Sequence, residues 1–427
     1  MLKRDIGALI ILKNKMFLDN YHHLKNKEIY VLTLLILFSI FIRVPVVFLY
    51  GDAGLENEWR ILVNNLTNHG ILAFDYHDAN LAEFLFPNLY MPPLYAYYIY
   101  FFSTFSLEGQ NYILIILFSQ VLLASISVAV FYEISKIFFS KKISFYSSLL
   151  YSLFPLHVYS CSQISSISLQ TFLTILFFYF FFQFIEKRNF LLIFFISFIG
   201  GLLILLRQEF VAVLASSLLY AFIFYKISIR KILLIFLITL ITISPYLIRN
   251  IIIFETVTIT KTTGYNFWKG SHPDAKGLEG SEIIDDNLQK QINKIPKDKF
   301  YGLNFDNLFL DQAIKNIKRE PVRYLTLFLK KAVSFLLIDI SSTHPNYYNP
   351  LHYLPVLVLG ITALIGISLS DKKSYKLNYL ILIFFFYVFI FSTVSILPRY
   401  KLIILPIQII FTSVLIESFK KLIYRRK

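Results

Sequence analysis

The sequence predicts an all-α protein that crosses a membrane several times. Of its 427 residues, 57% are hydrophobic and 18% are aromatic, a composition far from that of a soluble enzyme. Several apolar runs reach the length of about 20 residues that a helix needs to cross a bilayer. The basic residues sit between these runs, where they set orientation, so the net charge of +15 indicates membrane topology and not a nucleic-acid partner.

Ten apolar runs are predicted to span the membrane. They cover residues 29–50, 112–135, 143–160, 164–185, 190–206, 210–225, 232–248, 351–369, 377–397 and 402–419. Segments 93–107 and 324–338 are also apolar, but both are shorter than an upright span, and Lys330 and Lys331 interrupt the second. We therefore expect these two segments to lie in the membrane interface, with both lysines at the headgroups.

The distribution of positive charge supports this arrangement. It places 22 of the 41 Lys and Arg residues on inside loops, which are 1–28, 136–142, 186–188, 226–231, 370–376 and 417–427. If segment 93–107 crossed the membrane, the loops from 136 to 231 would carry their cations outward, against the positive-inside rule. Both termini are thus predicted to be cytoplasmic, with large outer regions at 50–110 and 249–350. The first 28 residues lack a short apolar core with a cleavage site and are interpreted as a cytoplasmic lead-in.

The first outer region, from Gly51 to Tyr95, is acidic in an otherwise basic chain. Seven Asp and Glu residues lie between positions 52 and 108, with one cation, Arg60, among them. Apolar residues at helical spacing around Trp59 predict an amphipathic helix on the bilayer, with Trp59 at the headgroups. Acids held at a fixed depth beside a membrane suit a proton acceptor, a metal site or a basic partner, although a solvated acidic loop is the simpler alternative.

The motifs of this region resemble those of a known superfamily. Asp52 and Glu58 after the first span, the pattern EW..L..NL...G from Glu58 and the turn MPPLY at 91–95 resemble the first outer loop of the GT-C glycosyltransferases. The similarity is strongest to the bacterial protein-mannosyltransferase-like and aminoarabinose-transferase-like enzymes. SPYLIRN at 244–250, TTGYNFWKG at 262–270 and RYKLIILP at 399–406 extend it, and Tyr246 stands where that group usually has Trp.

The resemblance implies a GT-C fold and a reaction. It implies a seven-span module at 29–248, an outer loop region with an interfacial helix at 249–350, and three further spans with a basic tail at 351–427. The implied activity moves a sugar from a polyprenyl-phosphate carrier to a lipid, glycan or protein acceptor. The implied location is the extracytoplasmic face of the inner (plasma) membrane. Membrane lipids are expected partners, and nucleic acid is not.

The chemistry of such a transfer assigns roles to particular residues. A carboxylate accepts the acceptor's proton, and a single displacement without an enzyme nucleophile inverts the sugar. The resemblance assigns this base to Asp52, with Glu58 as the second acid and Glu56 as its substitute if the register shifts by a few residues. Cations and their neighbours are expected to bind the donor and its phosphate. This substrate-binding set comprises Tyr95, Arg207, Glu209, Arg249, Asn250, Lys269 and Arg399.

The sequence leaves several alternatives open. Arg249 at a helix end is also explained by snorkelling, and Arg207 with Glu209 by a structural ion pair. No cofactor is expected, although Asp75, Tyr76, His77 and Asp78 have side chains of the type that bind a divalent metal ion.

Two other classes of membrane protein remain as alternatives. A lipid-linked glycan polymerase or ligase would rely on outer-loop arginines instead of an acidic first loop. A transporter or flippase would place charges near the middle of its spans, where this sequence has little charge. Arg43 and Glu133 are the exceptions, and both lie toward helix ends. His157, in a turn predicted to face outward, is expected to be packed or solvated.

Overall fold

The computed structural model describes residues 27–55, 57–76, 84–105, 112–344 and 346–425. Within these ranges the chain is almost entirely helical. The helices are α1 (Lys27–Tyr50), α2 (Asn57–His69), α3 (Pro93–Ser103), α4 (Tyr112–Ser135), α5 (Lys141–Leu153), α6 (Pro155–Tyr159), α7 (Ile167–Lys187), α8 (Phe190–Leu206), α9 (Phe210–Tyr225), α10 (Ile229–Phe254), α11 (Thr263–Ser271), α12 (Asp286–Asn293), α13 (Tyr301–Arg319), α14 (Pro321–Leu336), α15 (Pro350–Ser368), α16 (Tyr375–Thr393) and α17 (Leu405–Arg425). Short 3₁₀ turns occupy Ser160–Ser162 and Pro398–Ile403, and strands β1 (Ala73–Tyr76) and β2 (Phe84–Pro87) pair antiparallel.

Six of the described helices are long and apolar enough to cross a bilayer: α1, α4, α7, α10, α15 and α16. Helices α8 and α9 are equally apolar but shorter. Large hydrophobic side chains remain exposed on the outside of these helices, as at Phe41 (74%) and Ile252 (73%), which is expected where lipid replaces water. The chain is therefore a membrane protein, and the number of ten spans stays a prediction.

One predicted span is divided in the structure. Segment 143–160 forms α5 and the short helix α6, separated by Phe154 in an extended conformation (ψ 118°). Pro155 explains the break, because a proline excludes the residue before it from the helical region. The turn that follows α6 (Ser160–Ser162) is consequently buried between the helices.

Loops predicted to lie inside contact one another in two groups. Glu28 at the start of α1 forms ion pairs with Lys136 (3.4 Å) and Lys141 (2.7 Å). Elsewhere, Arg188 donates to the carbonyl of Tyr225 (2.7 Å), and Lys376 pairs with Glu186. Within each group the loops share a face, and the side of the membrane that they face stays a prediction.

Small residues allow the helices to approach one another closely. A Cβ atom at Gly201 of α8 would lie 2.6 Å from the Thr242 side chain of α10, and one at Gly366 of α15 would lie 1.8 Å from the carbonyl oxygen of Phe411 in α17. Since lipid provides little hydrophobic drive for association, such close packing is a main source of cohesion between the helices.

The interfacial elements differ from the prediction in two respects. The apolar residues of α2 are buried against α3 and the β-hairpin instead of facing the bilayer, and Trp59 packs edge-on against Tyr95 at 4.9 Å between ring centroids. In α14, exposed apolar residues such as Leu325 and Leu329 remain available to lipid, but Lys331 is 1% exposed. Its ammonium bonds to the carbonyls of Gly270 and Val394, so it does not reach the headgroups.

The second outer region contains a small core of its own. Trp268 of α11 packs against Phe309 of α13 at 4.5 Å, and Leu288 and Ala313 complete the cluster. Asp306 of α13 accepts a hydrogen bond from the backbone N–H of Tyr265 (2.9 Å), which fixes α11 on α13. The motif TTGYNFWKG thus forms a helix anchored on the outer region.

Candidate functional site

Asp52 is held where α1 ends and meets the turn after α6. Its backbone N–H donates to the carbonyl of Ser162 (3.0 Å), and its carboxylate Oδ2 accepts from the N–H of Ile164 (2.6 Å). The side chain is half-buried. These two bonds fix both the backbone and the carboxylate of Asp52 on segment 160–164, so the predicted base has a defined orientation.

The same segment is supported by Gln120 and Tyr95. Gln120 of α4 donates from Nε2 to the carbonyls of Gln163 (2.9 Å) and Cys161 (3.3 Å), and its Oε1 accepts from the Tyr95 hydroxyl (2.8 Å). Tyr95 is fully buried, and this burial, with Tyr98 and Asp52 nearby, raises the pKa of its hydroxyl well above the ordinary value. Tyr95 therefore remains protonated, and its hydrogen bond to Gln120 supports the segment that holds Asp52.

Glu58 borders a second group of polar side chains through Tyr90. Burial is the main cause that raises the pKa of Tyr90, and Tyr265, Glu58 and Glu282 add to the effect. Groups that change the pKa of Tyr90 must lie within electrostatic range of it. The structure thus brings Glu58 of α2 together with residues of α11 and the segment after it. Glu56 lies outside the described residues.

Lys269 belongs to this neighbourhood, but its charge is already matched. It forms an ion pair with Glu282 and keeps 21% of its side chain exposed. Burial and the Glu282 carboxylate raise the pKa of Tyr265 to about 12, so this hydroxyl also stays protonated. The surroundings of Glu58 therefore include the phenol hydroxyls of Tyr90 and Tyr265 and the ion pair between Lys269 and Glu282.

Arg399 and Arg207 lie within electrostatic range of each other. Arg399, just before α17, is exposed to solvent, yet protein surrounds it closely enough that burial lowers its pKa, as does Arg207. Tyr400, Tyr95 and Asp52 act in the other direction. Arg399 therefore keeps contact with solvent and lies within electrostatic range of both Asp52 and Arg207.

Arg207 is the better ordered of the two. Its Nε donates to Gln170 (3.1 Å), one terminal nitrogen donates to the Tyr400 hydroxyl (2.9 Å), and the guanidinium stacks on the Tyr400 ring at 4.5 Å. Among the described residues, no side chain forms a hydrogen bond or ion pair with the Arg399 guanidinium, so its donors remain available to a ligand. Glu209 influences the pKa of Arg207, but the two form no direct ion pair in the described chain.

Arg249 and Asn250 are engaged with the backbone. Arg249 donates to the carbonyls of Asn88 (2.8 Å) and Leu72 (3.2 Å), which lie side by side at the open end of the β-hairpin. Asn250 is fully buried and donates to the carbonyls of Thr258 and Ile259. These contacts attach the outer end of α10 to the first outer region and give both residues a structural role.

The described residues contain no group of three or more His, Cys, Asp or Glu side chains arranged to hold a metal ion. Of the four residues considered for such a site, His77 and Asp78 lie outside the described ranges, and the side chains of Asp75 and Tyr76 are not described. The metal site therefore stays an untested prediction.

Comparison with known proteins gives a partial family match and a shared fold. The family model of dolichyl-phosphate-mannose-protein mannosyltransferases matches residues 91–248. The archaeal oligosaccharyltransferase AglB from Archaeoglobus fulgidus, in complex with an inhibitory peptide and a dolichol-phosphate, is similar in fold. Its TM-score is 0.54 at 12% identity, over 94% of this chain and 51% of that chain. The chain therefore has the fold of this oligosaccharyltransferase, and the family match covers less than half of its length.

Two further solved structures are similar to this chain. The Archaeoglobus fulgidus oligosaccharyltransferase tethered to an acceptor peptide has a TM-score of 0.50 at 12% identity, over 93% of this chain and 50% of that chain. ArnT from Cupriavidus metallidurans, bound to undecaprenyl phosphate, has a TM-score of 0.41 at 10% identity, over 90% and 76%. The chain spans about half the length of the oligosaccharyltransferases it matches. No curated protein sequence matches it significantly.

Sequence reasoning missed the polar residues that support the site. Gln120 and Gln170 lie within apolar helices, and Asn88 lies directly before the MPPLY turn. Asn88 accepts from the N–H groups of Tyr90 (3.0 Å) and Met91 (2.8 Å), which shapes that turn. A buried amide in an apolar helix is a signal in itself, because a polar group in the membrane needs a partner.

Proposed function

We propose that this chain transfers a glycosyl group from a polyprenyl-phosphate sugar to an acceptor at the outer face of the inner (plasma) membrane. The observation that carries the proposal is that Asp52, fixed on segment 160–164, and Arg207 both lie within electrostatic range of the solvent-exposed Arg399. A base with a cationic pair near it is what a displacement at a sugar–phosphate bond requires.

The proposed reaction is a single displacement. The acceptor hydroxyl gives its proton to Asp52 while its oxygen forms a bond to the anomeric carbon of the sugar. The bond between that carbon and the phosphate oxygen breaks, and the electron pair leaves with the carrier. Since attack and departure occur on opposite faces of the sugar, the configuration is inverted.

The cations act on the leaving group. A phosphodiester with one negative charge becomes a polyprenyl phosphate monoester, which gains a second negative charge as the bond breaks. Arg399, with donors available, contacts the phosphate, and Arg207, fixed by Gln170 and Tyr400, contributes charge from a rigid position. Guanidinium groups suit this role because their planar donors match two phosphate oxygens.

The class of carrier is supported by the comparison. The oligosaccharyltransferase with the TM-score of 0.54 is itself in complex with a dolichol-phosphate, and the matching family model describes transfer from a dolichyl-phosphate sugar. The acceptor is proposed only as a hydroxyl-bearing lipid, glycan or protein.

The test is transfer by the purified full-length protein. It is incubated with labelled polyprenyl-phosphate sugars and a membrane extract, and the labelled product is identified. We expect a glycosylated product with one donor and loss of at least about 10²-fold in rate for Asp52→Asn, because a general base contributes about 10²–10⁴-fold. Asparagine keeps the acceptor for the N–H of Ile164, so folding should be unchanged.

Controls separate the outcomes of this test. Glu58→Gln and Glu56→Gln show whether the base lies elsewhere in the acidic loop. If folded wild-type protein transfers sugar from no donor, the proposal fails and a transporter becomes the better interpretation. Normal transfer by Asp52→Asn would keep the enzyme but reject Asp52 as its base.

A further inference from the structure

A buried arginine lies below the site and takes no part in the proposed reaction. Arg43 of α1 is fully buried, and among the described residues no carboxylate pairs with it. It donates to the Ser39 hydroxyl (2.6 Å) and to Nδ1 of His157 (2.9 Å), while its Nε has no partner in the described chain. A buried guanidinium is expensive, so one that is retained without a counter-charge calls for a specific role.

The contact with His157 determines the state of that ring. A guanidinium can only donate, so Nδ1 accepts, the ring proton is on Nε2, and the imidazole is neutral. The carbonyl of Tyr151, 3.1 Å from Nδ1, would need a proton there, which the adjacent guanidinium charge disfavours. His157 is 2% exposed and stacks on Tyr151 at 4.3 Å, so it does not face outward as a solvated residue.

His157 in turn supports the segment that holds Asp52. Its carbonyl accepts from the Ser160 hydroxyl (2.9 Å) and from the Cys161 thiol (3.5 Å). Two residues further on, the carbonyl of Ser162 and the N–H of Ile164 bind Asp52. A closed path of contacts therefore runs from Arg43 through His157 to Asp52 and back along α1.

We propose that Arg43 and His157 are positioning residues that set the place of the Asp52 carboxylate at the end of α1. The inference rests on the proposed function of Asp52. The hydrogen bond between them ties α1, about two turns before its end, to α6, and this fixes how far segment 160–164 stands from residue 52. His157 acts as a neutral acceptor and transfers no proton.

The variants follow from the role of Nδ1. Asn places an amide oxygen close to the position of Nδ1, so His157→Asn retains an acceptor for Arg43, whereas His157→Leu removes it. A displacement of about 1 Å at a catalytic group costs on the order of 10²-fold. We expect His157→Leu to lower kcat by about this factor and His157→Asn to retain most of it. The KM for the donor should be unchanged in both, because the arginines that face the phosphate lie on other elements.

A double substitution distinguishes positioning from general damage. If His157 acts through Asp52, His157→Leu should lower the residual rate of Asp52→Asn by little, because the group being positioned is already lost. Losses that multiply in the double variant would overturn the proposal, as would wild-type kcat in His157→Leu.

A structure of the His157→Leu variant gives a readout that does not depend on activity. We expect the hydrogen bond between Ile164 and Asp52 to be lost or lengthened. Its retention at 2.6 Å would overturn the positioning role even if no donor were ever found. Conversely, a displaced Asp52 in a protein that transfers no sugar would support the positioning and reject the proposed function.

Discussion

Arg399 offers the sharpest test of the proposed phosphate site. Arg399 is exposed to solvent, and its guanidinium has no hydrogen-bond or ion-pair partner among the described residues. Replacement should therefore leave the fold intact, since no internal bond is broken. Arg399→Lys keeps the charge and loses the planar pair of donors, whereas Arg399→Gln loses the charge as well.

The magnitude follows from the charge that develops on the phosphate. One additional negative charge at about 4 Å from the guanidinium interacts with it by about 1 kcal/mol in water and about 4 kcal/mol near a protein surface. The solvent exposure of Arg399 places the effect between these limits. We therefore expect Arg399→Gln to reduce kcat/KM by about 10- to 10²-fold, with Arg399→Lys in between, since each 1.36 kcal/mol is tenfold in rate.

The assay is initial-rate transfer from a labelled polyprenyl-phosphate sugar by purified variants in detergent. Arg319→Lys and Arg319→Gln are matched controls, because Arg319 is an exposed arginine at the end of α13. Melting temperatures measured in parallel show that each variant is folded. Wild-type rates for both Arg399 variants would refute the phosphate contact, and equal losses in the Arg319 variants would show that bulk charge is responsible.

Three further expectations concern the fold. Gly366→Ala should lower the melting temperature, because its Cβ would lie 1.8 Å from a carbonyl oxygen of α17. Gly302→Ala is the control and should not lower it, because open space surrounds that position. Equal melting temperatures for the two variants would contradict the close packing at Gly366. Burial lowers the pKa of Lys401 to about 7 from 10.5, so between these values the unfolded chain holds a proton that the folded chain lacks. Stability should rise with pH in that window, and a Lys401→Met variant should show a flatter thermal-stability profile. A reporter that is active only in the cytoplasm should be active when fused at Ser140, and one that is active only outside the cytoplasm should be active at Gly277. The reverse pattern would contradict the topology.

The sequence could predict those parts of the fold that depend on local composition. Apolar runs of sufficient length gave the positions of α1, α4, α7, α10, α15 and α16, because crossing a bilayer is a requirement on each segment by itself. Charge between the runs predicted which loops share a face, and the contacts of Glu28 and Glu186 agree. The family resemblance placed the candidate base at Asp52, directly after the first span, and that role stays a prediction.

The sequence could not show which arginines are bound within the protein and which keep their donors available to a ligand. Arg207, Arg249 and Arg399 look alike in the sequence, each a cation near the outer end of a helix. In the structure, Arg249 is bound to the carbonyls of Asn88 and Leu72, and Arg399 has no such partner among the described residues. The partners of Arg249 are more than 150 residues away in the chain, so only helix packing decides between a structural and a binding role.

Composition and charge alone determined that this chain is a helical membrane protein with an acidic loop after its first span, because both act segment by segment. Tertiary structure alone decided that α2 packs on protein instead of lipid, that Lys331 is buried, and that Arg43 reaches His157. Each of these outcomes depends on which group a side chain contacts. Inside a membrane, water is not available as a hydrogen-bond partner, so helix packing determines which protein group each polar side chain binds.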